Sequence, residues 1–403
     1  MRDGWRPAAL GTVAALDIEK VPVLAGTTYQ IAGVLNGGQG MLQREPIDGS
    51  DTNYPTLHRL RSRQMVMRKL TAWEGPITIV PEEYDGHFVS TEFPTFSLDQ
   101  QVLLPEFMQL QCQQPQFWDQ MRSASTGTVQ RRKRVNPSQL LEIEILLPPI
   151  KEQRRIVDLI GAVDRVDLAA RTVARASREV GIDVTSETYS APDGPTLAEI
   201  CEITPGYAFR SADFAEASDG IRLLRGDNIE PGSLRWRDAK RLPAWALRAN
   251  HERFALAEGD IVLAMDRPWI AGGLRRAVVT SDDLPAYVVQ RVARIRPVDP
   301  ALRDFIYAAL GSSKFEHYVK SEQTGSHVPH ISAGQIGRFC IPHVPIDRLH
   351  QVGQVAMAAT TAARDASELA ESCGVLRTAL FGDLLSGRYE IPSSYDELLE
   401  RAS

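Results

Sequence analysis

The spacing of hydrophobic positions changes character twice along the chain. Up to about residue 147 the apolar residues come in short runs cut by Gly, Pro and polar residues, as in Thr28–Val34 and Pro76–Val80. Runs of this kind predict β-strands joined by turns. After Pro148-Pro149 the period becomes helical. Ile156, Leu159, Val163, Val166, Ala170, Val173, Ser177 and Val180 follow alternating spacings of three and four, the a and d seam of a coiled coil. The same succession then returns. Strand-like runs at Asp260–Ala264 and Ala277–Thr280, with a helix at Ala301–Leu310, lead to Pro345. Beyond it Leu349, Val352, Ala356, Ala359, Ala363, Ala366, Ala370 and Cys373 trace a second seam, whose alanines let a partner helix approach closely.

The two halves echo each other residue by residue. Leu60–Trp73 aligns with Leu256–Trp269 at an offset of 196. Phe117 answers Phe315 and Thr126-Gly127 answers Thr324-Gly325 at 198, and Leu147-Pro148 answers Ile341-Pro342 at 194. The drop of four is matched by the four cations Arg131-Arg132-Lys133-Arg134 in that interval. This reads as a tandem duplication. The expected architecture is α+β: two strand-rich domains, each followed by a long helix, with the two helices paired as an antiparallel coiled coil and the domains at opposite ends of a rod. The expected boundaries are a first domain over 1–148, a central helix over 149–185, a second domain over 186–344, a distal helix over 345–387 and an acidic tail over 388–403. Two core helices of separate globular domains are the alternative.

Composition narrows the function classes without choosing one. The 403 residues carry a net charge of −6, which excludes a uniformly basic nucleic-acid binder but leaves room for local basic patches. The cations are 38 Arg against 7 Lys; base composition of the genome would explain that ratio, and arginine also suits forked recognition of phosphate and guanine. No apolar run is long enough to span a membrane, and the four cysteines form no CxxC pair, so the cytoplasm is the expected compartment.

Leu147-Pro148-Pro149-Ile150-Lys151-Glu152-Gln153-Arg154-Arg155-Ile156-Val157 resembles the LPPxxEQxxIV start of the spacer helix in DNA specificity subunits of type I restriction–modification systems. Ile341 to Val352 is a degraded second copy without the Glu-Gln pair. Gly206-Tyr207-Ala208-Phe209-Arg210-Ser211, followed by Gly220 to Ile229, is similar to the opening of many target-recognition domains, and Leu376 to Gly387 to the family's last helix. The resemblance covers nearly the whole chain. It implies a non-catalytic reader of double-stranded DNA, each target-recognition domain binding one half of a split, asymmetric sequence. The helices would measure the gap and dock two methyltransferase subunits, with restriction and translocase subunits completing the complex. Glu152, Gln153, Ile156, Leu159, Val163, Val166, Leu349, Val352, Ala356, Ala359 and Ala363 are the expected docking-helix residues. S-adenosylmethionine, ATP and Mg would bind the partners, and this chain no cofactor.

DNA binding needs cations for phosphates and forked donors for base edges. In the first half the candidates are the loop Thr126, Thr128, Gln130, Arg131, Arg132, Lys133 and Arg134, then Arg68, Lys69 and Trp73, and Arg44 and Tyr54. Four consecutive cations also describe an ordinary solvated loop. The matching second-half loop, with Thr324, Ser326, His327 and His330, is polar and not basic, so that domain must find its cations elsewhere. Arg267, Arg275 and Arg276 beside Trp269 are one choice, and Arg222 and Arg225 with Asn228 another. Trp73 and Trp269 also fit the core. His327, His330, Cys340 and His343 offer zinc spacing, but the first half has no counterpart, and no metal is expected. No Walker loop, nucleophile elbow or HExxH occurs, and Asn136-Pro137-Ser138 lacks the aromatic of an amino-methyltransferase motif. A protein-binding coiled-coil adaptor and, behind it, a metal enzyme built on the histidines are the rival readings.

Overall fold

The computed structural model describes residues 4–126, 133–215, 220–270, 273–322 and 330–397. The chain divides into two compact units, Met1–Asp167 with Glu371–Ser403, and Leu168–Ala370.

Unit 1 contains β1 (Arg6–Ala9), β2 (Ala14–Leu16), β3 (Glu19–Pro22), β4 (Thr56–Arg59), β5 (Met65–Met67), β6 (Ile77–Ile79), β7 (Phe88–Val89) and β8 (Thr95–Leu98). Helices α1 (Pro105–Cys112) and α2 (Pro115–Ala124) follow, each opened by a proline whose missing N–H the first helical turn does not need. Then come α3 (Pro137–Leu141), β9 (Glu144–Leu147) and α4 (Ile150–Thr188). A four-stranded sheet runs β6-β5-β8-β2, a three-stranded sheet β7-β4-β3, and β1 pairs with β9. The core is built on Met65, Met67, Ile77, Phe96, Phe107 and Phe117 and is closed by Ile156 and Ile160 of α4. Phe381 and Leu384 complete it from the far end of the chain, with Phe381 edge-on to Phe107.

Unit 2 repeats the plan with β10 (Asp193–Thr196), α5 (Leu197–Ile200), β11 (Cys201–Pro205), β12 (Ile221–Leu224), β13 (Arg241–Leu242), β14 (Ile261–Ala264), β15 (Arg276–Val278), β16 (Ala286–Val288) and β17 (Val292–Pro297). Helices α6 (Arg303–Leu310), α7 (Ser313–Glu322) and α8 (Ala333–Arg338), strand β18 (Cys340–Pro342) and helix α9 (Ile346–Ser386) follow. The four-stranded sheet is β15-β14-β17-β11, strand for strand the order found in unit 1, and β10 pairs with β18 as β1 does with β9. Helices α3 and α8 even share a capping box at an offset of 196, Asn136 with Gln139 and Ser332 with Gln335. The Asn136-Pro137-Ser138 sequence is thus a helix start. Gly353 lets α9 lie against the start of α6, since a Cβ there would come 2.4 Å from the Phe305 backbone nitrogen.

The duplication is confirmed, with one correction to its arithmetic. Leu10 N–H donates to Ile143 O, and Leu197 N–H to Phe339 O, the acceptors again 196 apart. The offset therefore falls from 198 at α2 and α7 to 196, and the second-half loop is shorter by two residues, not four.

The segments of α4 and α9 run antiparallel within each unit. Arg377 reaches Asp164 at 2.6 Å in unit 1, and Arg178 reaches Ser367 at 2.7 Å in unit 2. On α9 the expected seam is buried except at Ala366, from Leu349 and Val352 through Ala356, Ala359 and Ala363 to Ala370 and Cys373. On α4 only part of it is. Ile156 and Ala170 are buried, but the other buried apolar positions are Ile160 and Ala174, while Val166, Val173 and Val180 stand about half exposed. Helix α4 turns its small residues toward the alanines of α9, where close approach gains more dispersion contact than bulkier valines would permit.

Candidate nucleic-acid interface

In unit 1 two stretches that are far apart in sequence meet at one joint. Thr126 and Arg134 exchange both backbone hydrogen bonds at 2.9 Å and so form an antiparallel bridge. That bridge is tied to the chain leaving β5: Thr71 N–H donates to Lys133 O at 3.0 Å, Val135 N–H to Lys69 O at 3.1 Å, and Leu70 bridges to Arg134. Lys133 and Arg134 and the Arg68–Trp73 turn therefore share one surface. Lys69 and Lys133 pair with no carboxylate among the described residues, and exposed Arg134 lies 3.3 Å from Glu92. Thr128, Gln130, Arg131 and Arg132 lie outside the described residues. Arg68 is committed inward, donating to Leu70 O, Asn36 Oδ1 and Thr71 Oγ1 at 2.7–3.0 Å and pairing with Glu74 at 3.2 Å. Its Nε and Nη2 shape the turn instead of pointing at DNA, which sets it apart from the exposed cations expected there. Trp73 is half-buried, its indole N–H enclosed without a partner among the described residues. Arg44 and Tyr54 are exposed, and among the described residues no hydrogen bond ties them to the joint.

Unit 2 has the same joint. Ile331 N–H donates to Met265 O at 2.9 Å, the counterpart of Val135 and Lys69 at an offset of 196, and Asp266 bridges to His330 as Leu70 does to Arg134. The next residue is left-handed in both units, Thr71 at φ 55° and Arg267 at φ 44°. Here the joint borders a cleft of about 880 Å³ that includes Arg225, Lys240, Arg267, Arg275 and Arg291 against Asp227 and Asp266, with Gln290 and the rings of Phe209 and Phe214. Arg267 is exposed and forms no ion pair among the described residues. Asp266 is shared by His330 Nδ1 at 2.5 Å and by Arg291 at 3.3 Å.

Other candidates of the second half do structural work. Arg275 donates to Ile229 O at 3.1 Å and to Gly226 O, leaving it little exposed. Arg276 stacks on Tyr307, 4.1 Å from its ring centre, and bonds the Tyr307 carbonyl; burial holds its pKa below the usual arginine range. Arg222 donates to Asp282 O and Leu284 O at 2.8 Å and lies over Trp236. Asn228, buried, accepts from Arg225 N–H and donates to Arg235 O, which makes it the turn's own brace. These four are corrections to the expected DNA-binding set. Trp269 packs half-buried on the unit 2 core. Arg225 remains on the cleft rim, 3.7 Å from Asp227. Thr324, Ser326 and His327 lie outside the described residues. Among the described residues no group of three or more His, Cys, Asp or Glu is arranged to hold a metal.

Gln290, Arg291 and Lys240 were not singled out from sequence. The available signal was the polar pair Gln290-Arg291 between the apolar runs Tyr287–Val289 and Val292–Ala293, which marks a tight turn. The docking helix also needs correction at Gln153. It is fully buried, accepting from Leu104 N–H at 2.9 Å and donating to Val102 O and Pro148 O at 2.7 and 2.8 Å. Glu152 pairs with Arg155 at 2.9 Å and is also largely covered.

No family model matches the chain. Over 150 residues it is 35% identical to the type I restriction enzyme EcoAI specificity subunit of Escherichia coli, covering 37% of this chain and 25% of that one. Over 220 residues it is 27% identical to the type I restriction enzyme MjaVIII specificity subunit of Methanocaldococcus jannaschii, covering 50% and 51%. The matches thus span from a quarter to about half of the relatives' own lengths. In fold it is similar to the type I restriction–modification S subunit from M. genitalium, with a TM-score of 0.59, 14% identity and 96% and 97% of the two chains covered. A chain from a structural study of complex assembly in the type I R-M system gives a TM-score of 0.51 at 19% identity, covering 95% and 98%. Over those stretches the chain is similar in sequence to specificity subunits of type I restriction–modification systems, and over nearly its whole length it is similar in fold to the S subunit from M. genitalium.

Proposed function

We propose that this chain reads a bipartite, asymmetric sequence in double-stranded DNA, one half per unit, and carries methyltransferase subunits to it. The observation that carries the reading is the repeated joint. Two copies of one backbone arrangement, 196 residues apart, each present a cationic surface at the end of the same central strand, Lys69, Lys133 and Arg134 in unit 1 and the Arg225–Arg267–Arg291 cleft in unit 2. Duplicated readers on different loops suit a target with two unlike halves. Two methyltransferase subunits, and restriction or translocase subunits beyond them, would assemble on the long helices. Their S-adenosylmethionine, ATP and Mg would do the chemistry, and this chain would itself be non-catalytic and cytoplasmic; no described helix is long and apolar enough to cross a membrane.

The test is co-expression with candidate methyltransferase subunits and mapping of methylated adenines in host DNA. Methylation at one split motif that disappears when this chain is deleted supports the reading, and exchange of residues 1–148 then changes one half of the motif only. Methylation indifferent to this chain removes the DNA-reading function and leaves the protein-binding adaptor.

A further inference from the structure

Resting on that reading, we propose that unit 2 reads base edges with Arg267, Gln290 and Arg291, at the mouth of its cationic cleft. Two of these residues are held in a backbone conformation that favours glycine. Arg267 has φ 44° and Arg291 has φ 72°, and both are exposed, so neither is held there by burial of its own side chain. Glycine or asparagine is the easy occupant of such positions. Strained, exposed residues fixed by a rigid surround are a mark of function.

The surround is rigid. Arg267 follows the joint that fastens Met265 to Ile331. Gln290 and Arg291 form the tip of a turn closed by Val292 N–H donating to Val289 O at 3.2 Å, and Gln290 N–H is fixed to Tyr207 O at 2.9 Å. Both turns line one cleft, so the guanidinium of Arg267 and the carboxamide of Gln290 are presented to the same space.

Their chemistry is complementary. A guanidinium fork matches the O6 and N7 acceptors of guanine, and a carboxamide matches N6–H and N7 of adenine, both on the major-groove edge. Arg291, 3.3 Å from Asp266, is tethered and supplies a second fork. Arg225 on the rim is placed for phosphate.

The experiment uses the complete chain co-expressed with its methyltransferase subunits, with adenine methylation read across the genome. The wild type must yield one split motif; its absence would overturn the DNA-reading function and this inference with it. Given that motif, Arg267→Ala is expected to relax one position by about tenfold or more, and Gln290→Ala a different position, both in the half that exchange of residues 1–148 leaves unchanged. Arg267→Lys should relax the same position as Arg267→Ala, because lysine keeps the charge without the fork. Arg267→Gly suits the backbone and guards against misfolding; it should behave as Arg267→Ala does. Uniformly weaker methylation with an unaltered motif, or relaxation in the other half, overturns the proposal while leaving the subunit's function standing.

Discussion

Gln153 shows how a residue in a recognisable motif can serve the fold. Its side chain satisfies one backbone N–H and two carbonyls where Val102–Leu104 and Pro148 come together, at zero exposure. Removing it leaves buried groups unpaired, each costing about 1–3 kcal/mol. Gln153→Ala should destabilise unit 1 by roughly 2–4 kcal/mol, measured as a lower urea midpoint at unchanged slope. A surface role would leave the midpoint where it is. The arginines divide on the same ground. Arg222, Arg275 and Arg276 sit among cations in sequence as Arg267 does, but each donates to backbone carbonyls that only the fold brings near. Sequence located the cationic stretches; which of their members face solvent depends on contacts 31 to 62 residues away.

At the scale of elements, the alternation of strands and the two long helices was legible because hydrophobic period reports it directly. The register of α4 was not. Leu159, Val166, Val173 and Val180 make the more hydrophobic stripe, yet the helix buries Ile160 and Ala174 and sets Gly181 against Ala359, because its neighbour in unit 2 is a row of alanines. Pattern ranks faces by hydrophobicity, whereas packing against alanine ranks them by size. The valines left outside are then available to a partner. Val173→Lys should change stability by about 0.5 kcal/mol or less and abolish co-purification of a methyltransferase subunit; unchanged co-purification would place the dock elsewhere. The segment after α9 is a second element that sequence underrated, having read only as an acidic tail. Ile391 enters the unit 1 core, Arg155 donates to the Ile391 carbonyl, and Asp396 pairs with Lys151 at 2.8 Å and Arg155 at 3.1 Å. Ile391→Ala should cost about 2–4 kcal/mol in a melt of the intact chain. The hydrogen bond from Lys151 holds the Asp396 pKa below its ordinary value of 3.8, so its contribution is complete above that value and disappears as pH falls through the lowered one. Asp396→Asn should therefore lower the melting temperature at pH 6 and make no difference in strong acid.

For the whole molecule, net charge and working surface point in opposite directions: the chain carries −6 overall, but its two joints are cationic. Binding by the assembled complex should weaken steeply with salt. If Lys69, Lys133, Arg134 and Arg225 each neutralise a phosphate, they contribute about −4 to the slope of log K against log salt. Replacing Lys69 and Lys133 by alanine should flatten the measured slope by about two, whereas an unchanged slope would remove the unit 1 joint from the interface. The division of the chain also sets an order of events during synthesis. Unit 2 is one uninterrupted stretch, Leu168–Ala370, but unit 1 needs Phe381, Leu384 and Ile391 to close its core. On a ribosome adding about 5–20 residues per second, unit 1 emerges first and waits roughly 10–40 s for its missing helix. The domain translated first is the last to be finished, and until then its open apolar face is the part of the nascent chain most in need of a chaperone.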